Sequence, residues 1–150
     1  MRRMFTMVAL MSTFLFGACL LDAVAQGAKG AKAVQGSWSQ TKGTAKITLA
    51  FAGDKFTLTK SRDDKKETIN GTFKVDPSKT PHTIDMTVTD GTSRQVEKYK
   101  GKTSLGIYKV DGDKLQWCAN EPGKDGRPAA FPNEDGDKTH LYLTFERDKK

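Results

Sequence analysis

The stretch GIYKVDGDKLQWC, residues Gly106–Cys118, decides the fold because it specifies a β-hairpin together with its register. Asp111-Gly112 is a two-residue turn signal whose backbone twist suits antiparallel strands. With that turn, the predicted cross-strand pairs are Val110 with Asp113, Tyr108 with Leu115 and Gly106 with Trp117. The large side chains then share one face, whereas a three-residue loop would mix apolar and polar side chains on both faces. The hairpin predicts antiparallel β-structure and carries no sign of a chemical activity.

Alternation of apolar and polar residues continues along the rest of the chain. Gly53-Asp54 predicts a second hairpin that sets Phe51 against Phe56 and Leu49 against Leu58. Further strands are expected around Trp38 and over Glu67–Val75, His82–Val88, Lys98–Val110 with a bend at Gly101, and His140–Arg147. No segment has helical periodicity. About eight short strands predict an all-β fold, a small antiparallel up-and-down β-barrel, with an eight-stranded sandwich as the main alternative.

The first 25 residues carry an export signal. A basic start, Met1–Arg3, precedes the apolar run Met4–Leu21 and the small-x-small pattern of Ala23–Ala25, which predicts a signal peptide cleaved after Ala25. The apolar run is shorter than the roughly 20 residues that a membrane span needs, so no transmembrane span is expected after processing. The alternative is a lipoprotein signal that anchors the chain through Cys19. Both predict an exported protein, periplasmic or extracellular.

One domain is expected after cleavage, with residues 26–33 as a flexible leader and residues 34–148 as the barrel. The mature chain keeps 23 basic and 17 acidic residues, a net charge of +6. Its lysines are spread over successive strands rather than packed into one block, so no nucleic-acid partner is expected. Protein partners are not specified. Cys118 has no cysteine partner in the mature monomer and is predicted to be a small, semi-buried hydrophobic residue.

No constellation of residues predicts catalysis, a cofactor or a metal site. His82, His140 and Cys118 lack the paired spacing of zinc ligands. Residues 133–137 have the alternating oxygens of a calcium loop without its glycine and its closing acid in the required positions. The long loop Ala119–Lys138, which holds three prolines, is either a functional lid or a mobile connection. An enzyme is therefore the least favoured interpretation.

An ordered series of motifs resembles a small lipocalin-like domain family known from planctomycete exported proteins. The motifs are Gly36-Ser37-Trp38, Gly71–Pro77, Ile84–Met86, Gly106–Tyr108, Asp111–Leu115 and Cys118. The resemblance covers about Val34 to Arg147 and implies a lipocalin-like β-barrel in an extracytoplasmic protein. It implies no reaction, because the family is a domain of unknown function.

Gly36-Ser37-Trp38 also resembles the G-x-W signature of lipocalins, whose tryptophan packs at the closed end of the barrel under an arginine of the last strand. The resemblance implies structural roles for Gly36, Trp38 and Arg147, alongside the turn residues Asp111 and Gly112.

A barrel of this size can hold one apolar ligand in its mouth or be filled by its own side chains. The candidate lining residues are Phe73, Met86, Tyr108 and Trp117, which would otherwise form the core. The leading hypothesis is an exported noncatalytic module that binds a small hydrophobic ligand. The alternative is a structural or protein-interaction domain of the cell envelope, with a filled barrel and no ligand.

Overall fold

The computed structural model describes residues 29–132 and 139–149. The expected signal peptide, the alternative lipid anchor Cys19 and the calcium-like stretch 133–137 lie outside the described residues. Among the helices of the described residues, none is long and apolar enough to cross a membrane.

Eight strands and two short helices make up the described part of the chain. In chain order they are α1 (residues 29–34), β1 (Gly36–Lys42), β2 (Ala45–Ala52), β3 (Lys55–Arg62), β4 (Lys65–Asp76), β5 (His82–Gly91), α2 (Gln95–Tyr99), β6 (Thr103–Asp111), β7 (Lys114–Ala119) and β8 (Leu141–Arg147). The strands pair in sequence order, all antiparallel, and β1 closes on β8. The predicted up-and-down barrel is confirmed, and the sandwich alternative is wrong.

The seam between β1 and β8 is short and is reinforced by the chain end. Only two residue pairs join these strands, Trp38 with Arg147 and Ser39 with Glu146. Beyond them, the Asp148 carboxylate accepts hydrogen bonds from Ser37 Oγ at 2.6 Å and Ser39 Oγ at 2.5 Å. These two donors hold the pKa of Asp148 below its usual range. Asp148, the residue after β8, therefore helps to stabilise the pairing of β1 with β8.

The register of the β2–β3 hairpin is as predicted, whereas that of the β6–β7 hairpin is displaced. Phe51 faces Phe56 and Leu49 faces Leu58. In the β6–β7 hairpin the turn is Gly112-Asp113, not Asp111-Gly112, so the observed pairs include Asp111–Lys114, Val110–Leu115 and Tyr108–Trp117. This register sets apolar residues against each other and an acid against a base, which the predicted pairing of Val110 with Asp113 did not. Moving the turn by one residue shifts the pairing by two, so the predicted faces are preserved.

Both helices depart from the sequence expectation. Residues 29–34 are helical, where a flexible leader was expected through Ala33. Barrel side chains satisfy the last carbonyls around α1: Arg147 donates to Gln35 O and Ala33 O, and Trp38 Nε1 donates to Val34 O at 2.7 Å. Helix α2 replaces the start of the expected strand Lys98–Val110, and its Val96 is buried.

The barrel has two unlike ends. Because the strands alternate in direction, α1 lies at the same end as turns 53–54 and 112–113 and the loop 77–81; we call this the closed end. Gln35 seals it by exchanging hydrogen bonds of 2.8 and 2.9 Å with the backbone of Gly53. The opposite end, the mouth, carries α2, the start of the 120–132 segment and residues 139–140.

The segment 120–132, here called the outer loop, packs against the outside of the barrel. Arg127 Nη1 donates to Gly106 O at 2.6 Å and Ile84 O at 3.3 Å, and its Nη2 lies 2.6 Å from Asp85 Oδ1. Phe131 stacks near Tyr142, with ring centroids 6.2 Å apart. The first part of the predicted loop Ala119–Lys138 therefore packs against the outer surface of the barrel.

Cys118 points outward from β7 and is fully buried, whereas the sequence predicts a semi-buried residue.

Candidate functional site

A cavity of about 430 Å³ opens at the mouth of the barrel. Strands supply its floor, and α2, the outer loop and residues 139–140 supply its rim. The apolar lining residues are Phe56, Leu58, Ile69, Met86, Val88, Trp117, Pro122 and Leu141. The polar ones are Gln95, Tyr99, Ser104, Asn120, Glu121, Lys124, Thr139 and His140. Apolar groups below and polar groups above give the cavity an amphipathic lining.

The floor is apolar and lies on paired strands. Phe56, Met86, Val88 and Trp117 are each buried on paired strands, and the floor carries no titratable side chain. At the entrance, Leu141 is 49 % exposed, so an apolar surface extends from the floor to solvent. Such a floor can contact an apolar group without any rearrangement of the strands.

Two of the four predicted lining residues line the cavity, Met86 and Trp117. Phe73 and Tyr108 do not. Phe73 packs edge-on against Phe51, with ring centroids 4.7 Å apart, and Tyr108 lies at the closed end beside His82. The alternation that selected Met86 also marked Phe56, Leu58, Ile69 and Val88, and these further lining residues were missed as a group. The rim residues of α2 were missed because no helix was expected there.

The predicted structural residues gather at the closed end. The Arg147 guanidinium lies 3.9 Å from the centroid of the Trp38 ring, the contact that the G-x-W resemblance implies. Gly36 has φ +104°, and a Cβ there would lie 3.3 Å from Arg147 Nη1, so glycine leaves room for the guanidinium. Gly112 occupies the β6–β7 turn at φ +57°, whereas Asp111 is the last residue of β6.

Three side chains at the rim join α2 to the outer loop. Glu121 Oε1 lies 2.7 Å from Lys98 Nζ and also accepts a hydrogen bond from the Tyr99 hydroxyl. These hydrogen bonds, from Lys98 first and then Tyr99, lower the pKa of Glu121 to about 2 and raise that of Lys98. Glu121 is therefore ionised across the physiological range, with its charge matched by Lys98. Since the pair is exposed, it adds little to global stability.

The buried polar groups near the floor are few. Ser104 Oγ donates to Asn120 O at 2.6 Å, which fixes the start of the outer loop. Trp117 Nε1 is buried and has no hydrogen-bond partner among the described residues; a Cβ on Gly106 would lie 3.2 Å from it. Within residues 29–132 and 139–149, no group of three His, Cys, Asp or Glu side chains could hold a metal.

Comparisons with protein-family models, with curated proteins and with solved structures find no significant match to this chain. The class that the structure defines is a small closed antiparallel β-barrel, with one end sealed by a helix and a cavity at the other.

Proposed function

We propose that this protein is an exported, noncatalytic binding module that holds a small hydrophobic molecule in the mouth of its barrel. The observation that carries the proposal is the cavity of about 430 Å³ above an apolar floor. Its volume is within the range of roughly 300 to 1,000 Å³ found for small-molecule sites. Export is supported by the basic start, the apolar run and the small-x-small pattern of Ala23–Ala25.

The noncatalytic part of the proposal is supported by the chemistry of the floor and of the charged pair at the rim. The floor offers aromatic and aliphatic surface only, and the hydroxyl of Ser104 is already committed to a backbone carbonyl. The charged rim pair, Lys98 and Glu121, is a mutual ion pair that ties two segments together. Such groups are suited to orienting and retaining a ligand.

Binding is tested by titrating the full chain with 1-aminoanthracene, a neutral apolar dye that brightens in an apolar environment. We expect a saturable rise with one dye per chain. Leu58→Trp, which places a larger side chain in the cavity, should abolish the rise. Thr57→Trp, at the outward-facing position next to it, is the matched control and should bind the dye normally. If the folded wild-type chain shows no saturable binding, the alternative of a filled structural or protein-interaction domain replaces this proposal.

Export is tested separately, by expressing the full chain in a bacterium with a periplasm and measuring the mass of the protein recovered there. The proposal expects the mass of a chain that begins at Gln26. Retention of the full-length mass in the cytoplasm would refute the export part and leave the binding part standing.

A further inference from the structure

We infer that the ligand of the mouth cavity is an anionic amphiphile, with its apolar tail on the floor and its negatively charged head beside Lys124 at the rim. The inference rests on the proposed function and names the chemical class of its ligand.

The negative charge of Glu121 at the rim is already paired with a positive charge. Among the cavity-lining residues described, the acidic one is Glu121, and its carboxylate is held by Lys98 and by the Tyr99 hydroxyl. A carboxylate so engaged offers little attraction to a cationic ligand. A cationic head group would also meet the positive charge of Lys98 beside it.

Positive charge, in contrast, remains available. Lys124 lines the cavity, and its positive charge makes a small contribution to the lowered pKa of Glu121, after the contributions of Lys98 and Tyr99. Lys102 lies alongside the outer loop, since a Cβ on Gly123 would be 2.8 Å from its Cδ. Neither lysine forms an ion pair with another described side chain. Of the two charged residues that line the cavity in the described part of the chain, Glu121 is therefore matched by Lys98, whereas Lys124 keeps an unmatched positive charge.

The lining as a whole then selects one kind of molecule. An apolar tail removes the surface of Phe56, Met86 and Val88 from water, which is favourable in proportion to the area covered. A negative head at the rim stays in contact with solvent, so it avoids the desolvation cost of a buried charge while it gains the attraction of Lys124. A neutral apolar molecule gains the burial of apolar surface but lacks the attraction of a negative charge to lysine.

The test compares four twelve-carbon ligands that share one tail: dodecanoate, dodecyl phosphate, dodecan-1-ol and dodecyltrimethylammonium. Each displaces 1-aminoanthracene from the full chain at a pH where the acid is ionised. We expect the two anions to bind about fivefold tighter than the alcohol, the size typical of an exposed charge pair, and the cation to bind most weakly. Added salt should narrow the differences. A preference for phosphate over carboxylate would point to a phospholipid-like ligand and the reverse to a fatty acid; either supports the inference.

Charge variants separate this reading from a purely structural role of the rim. Lys124→Gln should remove most of the preference for anions, whereas Glu121→Gln should increase it because Lys98 loses its counter-charge. Lys66→Gln, an exposed change on β4 outside the cavity lining, is the control and should leave the preference unchanged. Equal binding of alcohol and anion, unaffected by Lys124→Gln, overturns the inference and leaves the proposed function intact. Absence of binding by all four ligands and the dye overturns both.

Discussion

Tyr108 places a polar hydroxyl group in the buried interior of the closed end. Its ring is buried at the closed end, and its hydroxyl has no hydrogen-bond partner within the described part of the chain. Burial, assisted by the negative charge of Asp76, raises the pKa of Tyr108 to about 12. A buried donor without a partner costs about 1–3 kcal/mol, so the ring stabilises the fold and the hydroxyl opposes it.

Tyr108→Phe should therefore leave the free energy of unfolding at neutral pH unchanged or raise it by about 1 kcal/mol. The pH dependence follows from the same burial. An unfolded tyrosine loses its proton near pH 10, but Tyr108 keeps it until about pH 12, so wild-type stability should fall as the pH rises through that interval. In the variant this loss should shrink. Urea denaturation across pH 7 to 12 measures both effects.

Tyr142→Phe is the matched control for this prediction. The Tyr142 hydroxyl accepts a hydrogen bond from Gln116 Nε2 at 2.7 Å, so its removal should lower the free energy of unfolding by about 1 kcal/mol. A loss of stability in Tyr108→Phe as large as in Tyr142→Phe would contradict the account of an unused hydroxyl.

At the scale of elements, the turns explain both the success and the error of the sequence prediction. Gly53 and Gly112 both have positive φ, and the aspartate that follows each does not. This is the turn type that requires glycine in its first central position. The sequence Asp111-Gly112-Asp113 offers two overlapping turn signals, and the second is the one that pairs Asp111 with Lys114 and Val110 with Leu115 across the strands. The turn motif alone therefore does not determine which two residues form the turn.

The two helices were beyond sequence prediction for a different reason. Helix α2 has five residues, too few to display a period of 3.6, and it forms around one buried side chain, Val96. Helix α1 is completed by groups more than a hundred residues away, since Arg147 bonds the carbonyls of Ala33 and Gln35. Contacts at that separation leave no local pattern in the sequence.

Arg147→Lys tests how α1 is held. A lysine cannot stack on Trp38 and bond two carbonyls at once, so we expect a loss of about 2 kcal/mol in the free energy of unfolding. Amide hydrogen exchange should accelerate most in residues 29–35. Arg62→Lys, an exposed position in the β3–β4 region, should change neither quantity. Unaltered exchange in α1 would show that Val34 packing alone retains the helix.

Arg127→Gln tests how the outer loop is held. The change removes a guanidinium that bonds two strand carbonyls and Asp85, so the loop should open more often and expose Cys118. In a Cys19→Ser background, we expect the thiol of Cys118 to react about tenfold faster with an aromatic disulfide reagent. Arg62→Gln serves as the control. An unchanged reaction rate would mean that Phe131 and its neighbours hold the loop without Arg127.

For the whole molecule, alternation of apolar and polar residues predicts which side chains point into the barrel. The geometry of the closed barrel determines which of these side chains also line the cavity. Phe73 and Met86 are both inward on neighbouring strands and face each other as a cross-strand pair. Both belong to the hydrophobic core, but of the two it is Met86 that also lines the cavity. Strand tilt and stagger determine how far each inward residue lies from the closed end. Neither quantity can be inferred from a single segment of the sequence.

The barrel therefore has a closed end filled by side chains and a cavity at its mouth, and two leucines can measure this division. Leu115 is 1 % exposed and lies in the core, whereas Leu58 lines the cavity. Leu115→Ala should leave a sealed void and cost about 3 kcal/mol of unfolding free energy. Leu58→Ala enlarges a space that is already open, so it should cost about 1 kcal/mol and instead weaken the binding of 1-aminoanthracene. Urea denaturation and dye titration of both variants give the comparison. Equal losses of stability, with no change in dye binding for Leu58→Ala, would mean that the mouth is packed as tightly as the closed end and that the division does not exist.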